Sequence, residues 1–182
     1  MSRPLQVAIV NGSPNANSKT MALVSLITDS LGQKLDLEVH QTNVYDLGPS
    51  FFTAIERETL LPEVEAEFSA VESSDLLIAA TPVYRGSYSG MFKHFFDLTG
   101  QYALTNKPVI LVATGGSDRH ALVIEHELRP LFGFFQAATI PVGFYANAGD
   151  FEGNLVLNAE VYSRIEIAIG DVIDKLRVLA TT

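Results

Sequence analysis

The stretch Gly12–Thr20, GSPNANSKT, follows the apolar run Gln6–Val10 and carries hydroxyls at Ser13, Ser18 and Thr20 and amides at Asn15 and Asn17. A strand that ends in such a loop and re-enters a helix exposes the helix's unpaired N–H groups, which carry partial positive charge. Together these donors suit one phosphate monoester. Lys19 either adds a full charge or is solvated. The stretch is no Walker A motif, because Ser13 and Ser18 stand where its glycines belong, and no G-x-G-x-x-G fingerprint is present. The plainer alternative is an ordinary helix cap by Ser18 or Asn17.

A second loop, Thr81–Gly90 (TPVYRGSYSG), combines aromatics, small residues and one cation. An aromatic with small neighbours in a crevice can flank a flat heterocycle; the alternative is a surface turn whose tyrosines pack locally. GSYSG has the outline of a nucleophile elbow, but Tyr88 stands where serine belongs, so a hydrolase triad lacks support. A third loop, Thr114-Gly115-Gly116-Ser117, places two glycines where backbone can approach a ligand closely, or where the chain simply turns. His40, His94, His120 and His126 show no metal-ligand spacing. Asp118, Glu125 and Glu127 read as a solvated helix face. One anchored phosphate, one flat ring and no metal cluster point to FMN.

The three loops must be held at one edge of a scaffold, and the order of elements provides it. Strands are predicted at Gln6–Val10, Leu35–Thr42, Asp75–Ala80, Pro108–Ala113 and Thr139–Tyr145. Helices are predicted at Ser18–Gly32, Leu60–Ser73, Gly90–Thr99, Arg119–Gln136 and Asn158–Leu179, with an irregular loop over Asn43–Thr53. Runs such as DLLIAA and PVILVA are apolar on both faces, as a parallel sheet covered on both sides requires. The expected fold is a three-layer α/β/α sandwich, flavodoxin-like, with a five-stranded parallel sheet of order 2-1-3-4-5 in one domain, residues 1–182. Its crevice opens between strands 1 and 3, and all three loops lie at the carboxyl edge.

Composition narrows the function classes. Apolar residues make up 47 % of 182, charged residues 18 %, and the net charge is −9. An acidic surface repels phosphate backbones, which argues against a general nucleic-acid binder. Without cysteine there are no disulfides, zinc–cysteine sites or thiol catalysis. No stretch reads as a signal peptide or a transmembrane helix, so a soluble cytoplasmic protein is expected.

The segments GSPNANSKT, ATPVYRGSYSGMFKHFFDL and ATGGSDRHALVIEHELRP resemble the flavodoxin-like NAD(P)H-dependent FMN reductases. They are most similar to the reductases of two-component sulfonate monooxygenase systems in the methanesulfonate and alkanesulfonate pathways. The resemblance spans nearly the whole chain. It implies that Ser13, Asn15, Asn17, Ser18 and Thr20 hold the FMN phosphate. Pro82, Val83, Tyr84, Arg85 and Ser87 would line the ribityl chain and ring, and Thr114, Gly115, Gly116 and Ser117 the isoalloxazine edge. Many relatives have arginine where this chain has Asn15; its loss either loosens FMN or is compensated by Lys19. The implied reaction is hydride transfer from NADH or NADPH to FMN, with no protein nucleophile and no metal. Arg85 and Arg119 could meet a 2′-phosphate, but neither decides between the nucleotides. An FMNH2-dependent, sulfonate-degrading monooxygenase is the implied partner. Two other readings remain open: an electron-carrier flavodoxin, and a quinone or azo-compound reductase that keeps its FMN. The absence of tryptophan and the small TGGS loop weigh against the carrier.

Two further expectations concern assembly. Met91–Leu98 and the aromatics Phe132, Phe134 and Phe135 exceed what one core-facing stripe needs, which predicts a homo-oligomer, dimer or tetramer; the plain alternative is a thick core. Pro130 lies inside the predicted helix Arg119–Gln136 and cannot donate to the carbonyl of His126. The conflict predicts a kink or a one-residue π-bulge near Glu125–Arg129. The resemblance places His126 where many of these reductases insert a tyrosine, which implies an interface role in flavin release.

Overall fold

A computed structural model describes residues 3–181. The elements run β1 (Leu5–Asn11), α1 (Lys19–Gly32), β2 (Leu37–Asn43), α2 (Pro49–Phe52), α3 (Pro62–Ser73), β3 (Leu76–Pro82), α4 (Gly90–Leu98) and β4 (Pro108–Gly115). A π-helix (Ile124–Leu128) follows and leads into α5 (Arg129–Phe134). Then come β5 (Ala138–Thr139), β6 (Phe144–Asn147), β7 (Phe151–Glu152), β8 (Leu155–Val156) and α6 (Ala159–Leu179).

The main sheet is parallel, in the order β2-β1-β3-β4-β5, with β6 also paired to β4. Strand periodicity divides its side chains between two cores. Leu5, Val7, Ile9, Leu76, Ile78, Ala80, Ile110 and Val112 pack under α1 and α6. Ala8, Val10, Leu77, Ala79, Val109, Leu111 and Ala113 pack under α3, α4 and α5. β3 and β4 are buried on both faces, so the alternation typical of a one-sided sheet is missing from their sequence.

The expected fifth strand, Thr139–Tyr145, is two pieces. β5 pairs with Pro108 and Val109, β6 with Val112–Gly115. Pro141 between them lacks the N–H a ladder requires. The expected continuous helix Arg119–Gln136 is likewise broken, into a 3₁₀ turn (Asp118–His120), the π-helix and α5. The Arg129 N–H bonds to the Ile124 carbonyl, a five-residue span. Widening the helix there admits Pro130 in the first turn of α5, where no N–H is needed. The π-register anticipated from Pro130 is therefore present, one residue earlier.

The aromatic excess goes largely into the thick core that was the plain alternative. Phe92, Phe95, Phe96, Phe132 and Phe135 are all buried within the chain, joined by Phe51 and Phe68. Phe68 and Phe95 stack at 4.1 Å, and Phe96 meets Phe132 edge-on at 4.9 Å. They form a thick core and offer no surface for self-association. Phe134 alone of the group is exposed, at 62 %. Among the described residues no helix is long and apolar enough to cross a membrane.

Candidate cofactor site

The β1–α1 loop is organised by Asn11, which sequence reasoning passed over. Its buried side chain accepts the Ser13 N–H at 2.9 Å and donates to Asn43 Oδ1 at 3.0 Å. Ser13 Oγ accepts the Asn15 N–H at 3.3 Å. Ser18 is the N-cap of α1, accepting the Met21 N–H at 3.2 Å, so the capping alternative holds. It does not exhaust the hydroxyl, whose own proton stays available. The consecutive N–H groups of Ala16, Asn17, Ser18, Lys19 and Thr20 have no acceptor among the described residues. A row of free donors at the positive end of a 14-residue helix is an anion cradle.

Three predicted members of this loop have defined partners. The Thr20 hydroxyl is buried, 1 % exposed as a residue, and lies 2.6 Å from Thr114 Oγ1, tying the first loop to the third. Asn17 accepts Asn154 Nδ2 at its backbone carbonyl (3.1 Å) and its Oδ1 (3.0 Å). Lys19 Nζ sits 5.5 Å from the centroid of the Phe151 ring, a cation–π contact. Asn154 and Phe151 belong to the β7–β8 hairpin, which was not foreseen. Gly153-Asn154 between Phe151-Glu152 and Leu155-Val156 was its only signal, and Gly153 has φ +58°.

The second loop is bolted to the first. Ser89 caps α4, donates its hydroxyl to the Gly12 carbonyl at 2.7 Å, and donates its N–H to Thr81 Oγ1 at 3.1 Å. A Cβ on Gly12 would lie 2.8 Å from Phe92 Cβ, so only glycine lets the loop rest on α4. Beyond Pro82 and Val83, Tyr84 and Ser87 pair through both backbone groups (2.8 and 3.2 Å) around Arg85 and Gly86. Positive φ at both central residues, 53° and 90°, makes this a type I′ turn. Arginine in the left-handed region costs about 1 kcal/mol. Tyr84 is 46 % exposed and, with Val83 and Arg85, bounds a cavity of about 370 Å³. Ser87 Oγ donates to Glu127 Oε2 at 3.1 Å, which links the turn to the π-helix.

The third loop is gripped at both ends. Thr114 meets Thr20. Tyr145 of β6 donates its hydroxyl to the Ser117 carbonyl at 2.6 Å, and Asn147 Nδ2 donates to Asp118 Oδ1 at 2.6 Å. A Cβ on Gly115 would fall 2.2 Å from Tyr145 Oη, whereas one on Gly116 would meet nothing within 4 Å. Burial first, then Asp118 and Asp150, raises the Tyr145 phenol above its usual pKa. On the same strand edge, a Cβ on Gly143 would fall 2.3 Å from Ile124 Cγ2, so glycine seats the π-helix against β6. A hollow of about 610 Å³, lined in part by Tyr145, is edged by Asp118, Glu125, Asp150 and Glu160 against the one cation Arg164. Its charge suits no phosphate.

His126 is exposed on the π-helix. The flanking carboxylates are engaged: Glu125 with Arg129 at 2.6 Å, Glu127 with Ser87. His40 meets Glu67 at 2.8 Å and His94 meets the Phe51 carbonyl at 2.7 Å. Among the described residues no group of His, Asp and Glu is arranged to hold a metal.

In a chain of net charge −9, residues 12–20, 82–87 and 114–117 contain no carboxylate and two cations, Lys19 and Arg85. The cradle offers donors of the kind a phosphate takes, and the open turn at Tyr84 and the bare Gly116 leave space of the kind a flat polar ring takes. That donor set on a doubly wound sheet defines a flavodoxin-like FMN-binding oxidoreductase. Residues 5–152 match the NADPH-dependent FMN reductase family, and the chain belongs to that family. It is 46 % identical over 168 residues to the NADH-dependent FMN reductase SfnF of Pseudomonas fluorescens (strain Pf0-1), covering 92 % of this chain and 90 % of that one. It is 41 % identical, with the same coverage, to an FMN reductase (NADPH) of Pseudomonas aeruginosa. The solved structure of an oxidoreductase from Corynebacterium diphtheriae superposes with a TM-score of 0.82 at 33 % identity, covering 99 % of this chain and 98 % of that one. The protein is thus an NAD(P)H-dependent FMN reductase.

Proposed function

We propose that the chain uses NADH to reduce FMN and hands the reduced flavin to a sulfonate-degrading monooxygenase. The observation that carries the FMN reading is the run of free N–H groups from Ala16 to Thr20 beside the Ser13 and Ser18 hydroxyls. In this reading Ser13, Asn15, Asn17 and Ser18 hold the phosphate, while Thr20 acts from behind by fixing Thr114. Pro82, Val83, Tyr84, Arg85 and Ser87 line the ribityl chain and ring, and Thr114–Ser117 meets the ring edge. When bound, FMN supplies the hydride-accepting chemistry. The chain's own contribution is orientation and pre-set donors. The turn at Tyr84 leaves one side of the crevice open, room for a nicotinamide beside the ring.

The 46 % identity to an NADH-dependent relative supports NADH as donor, against 41 % to one named for NADPH. Exposed His126 on the π-helix supports a contact between copies in a dimer or tetramer near the flavin. The whole chain acts as one domain, in the cytoplasm. The test is absorbance at 340 nm with free FMN and each nucleotide. Rapid NADH oxidation that needs added FMN is expected; no acceleration with either nucleotide defeats the reading. Reduced flavin released to the monooxygenase should support sulfonate cleavage in a coupled assay. His126→Ala should alter flavin retention and sedimentation more than melting; no change in any of them removes that role.

A further inference from the structure

We propose that Tyr145 is a positioning residue for the reaction, fixing the Thr114–Ser117 loop beneath the flavin ring through its hydrogen bond to the Ser117 carbonyl. The inference rests on the reading that this loop meets the ring edge. The loop has fixed ends and a free middle. Thr114 is tied to α1 by Thr20, Ser117 to β6 by Tyr145, and Asp118 to β6 by Asn147. Between these ties, the Gly116 N–H has no acceptor among the described residues, and its outer face is open. The donor offered to a ligand is therefore held by its neighbours.

Gly115 shows how closely the tyrosine is fitted. Tyr145 Oη occupies the place a side chain at 115 would take, 2.2 Å from the would-be Cβ. β6 pairs with β4 in the register Ala113↔Tyr145 and Gly115↔Asn147, so the ring stands on the β4 face that carries Ala113 and reaches forward under the loop. The ring is rigid and the hydroxyl is its only polar atom. Losing that atom opens no cavity and leaves the Ser117 carbonyl only its local bond from the His120 N–H at 3.2 Å, with no tie to β6. A loop that drifts by about 1 Å loses alignment with the reacting ring while the phosphate cradle, on another loop, still binds.

The decisive variant is Tyr145→Phe, which keeps the ring and removes the bond. In the apo protein, amide hydrogen exchange at His120 and Ala121, whose N–H groups donate to the Ser117 and Asp118 carbonyls (3.2 and 3.0 Å), should quicken about fivefold, the scale of one hydrogen bond. At saturating FMN and well below melting, kcat should fall about fivefold or more while KM for FMN stays within about twofold. A merely structural tyrosine would lower the melting temperature and leave that split absent. Unchanged loop exchange overturns the proposal, and so does faster exchange with unchanged kcat. Gly116→Val separates the underlying reading. If the loop meets the ring, this exposed substitution weakens FMN binding at least tenfold; if FMN binds as before, the loop is not the ring contact and the proposal falls for that reason instead.

Discussion

Ser18 offers the sharpest test of the phosphate cradle, because it caps α1 and faces the proposed anion with one hydroxyl. In Ser18→Ala the Met21 N–H loses its acceptor at 3.2 Å. Loss of an N-cap costs about 1 kcal/mol, or about 2–4 °C of melting temperature in a chain of this size. The phosphate also loses one charge-assisted donor, about 1.5–3 kcal/mol, or tenfold to a hundredfold in FMN affinity. Alanine alone does not separate the two roles, but aspartate does. Ser18→Asp keeps a capping oxygen and places a negative charge at the positive helix end, so the apo protein should melt at or above the wild-type temperature. Toward a phosphate, the same carboxylate is repulsive. At a separation of about 5 Å and an effective dielectric near 20, one pair of charges costs about 3 kcal/mol. With the lost hydroxyl donor, and allowing for solvent screening at this partly exposed position, FMN should bind at least a hundredfold more weakly. Riboflavin, which lacks the phosphate, should bind all three proteins alike. Scanning fluorimetry of the apo proteins and fluorescence titration with both flavins measure these quantities. An aspartate variant that melts normally and binds FMN as tightly as wild type refutes the cradle.

Gly115→Ala should lower the melting temperature by about 4–10 °C, since it drives Tyr145 off the Ser117 carbonyl at about 2–3 kcal/mol. Adding Tyr145→Phe should restore part of that loss, and strictly additive melting shifts would contradict the fit. Asn154→Ala removes both bonds to Asn17 and should raise the FMN dissociation rate about threefold to tenfold in stopped flow, with melting nearly unchanged. Asp75 is held below its usual pKa by Arg3 first, then by the Gln6 N–H. A depressed carboxylate stabilises above its unfolded value, about 3.9, and the contribution disappears as pH falls through the lower folded value. Asp75→Asn should therefore lower the melting temperature at pH 7, with the deficit shrinking progressively as pH falls below about 3.9; a deficit independent of pH would refute the linkage.

The parallel sheet was legible because β3 and β4 are short apolar runs without alternation, and only a doubly covered strand needs that pattern. The three loops were legible because glycine and hydroxyl clusters fall directly after those runs. The break near the π-helix followed from one residue, Pro130, whose missing N–H creates a conflict that either a kink or a π-bulge resolves; the structure takes the second. What escaped were tertiary partners. Asn11 and Tyr145 look like ordinary strand residues, and their value lies in the loop atoms they touch. The β7–β8 hairpin has strands of two residues, too short for any periodicity. The phenylalanines left two readings open because composition reports how much aromatic surface there is and not which side of a helix receives it; the space between α3, α4 and α5 takes most of it.

The split at Pro141 also bears on how the protein behaves when crowded. A sheet edge is a template on which foreign strands can grow, and long flat edges seed fibrils. Here one margin is cut into pieces of two and four residues. The other margin, β2, exposes Glu38 and His40 among its outward positions, polar groups that a docking strand would have to bury. One border is thus too short to template a foreign strand, and the other carries polar side chains along its seven residues. Concentrating the protein therefore gives its own sheet little chance to become the nucleus of an aggregate.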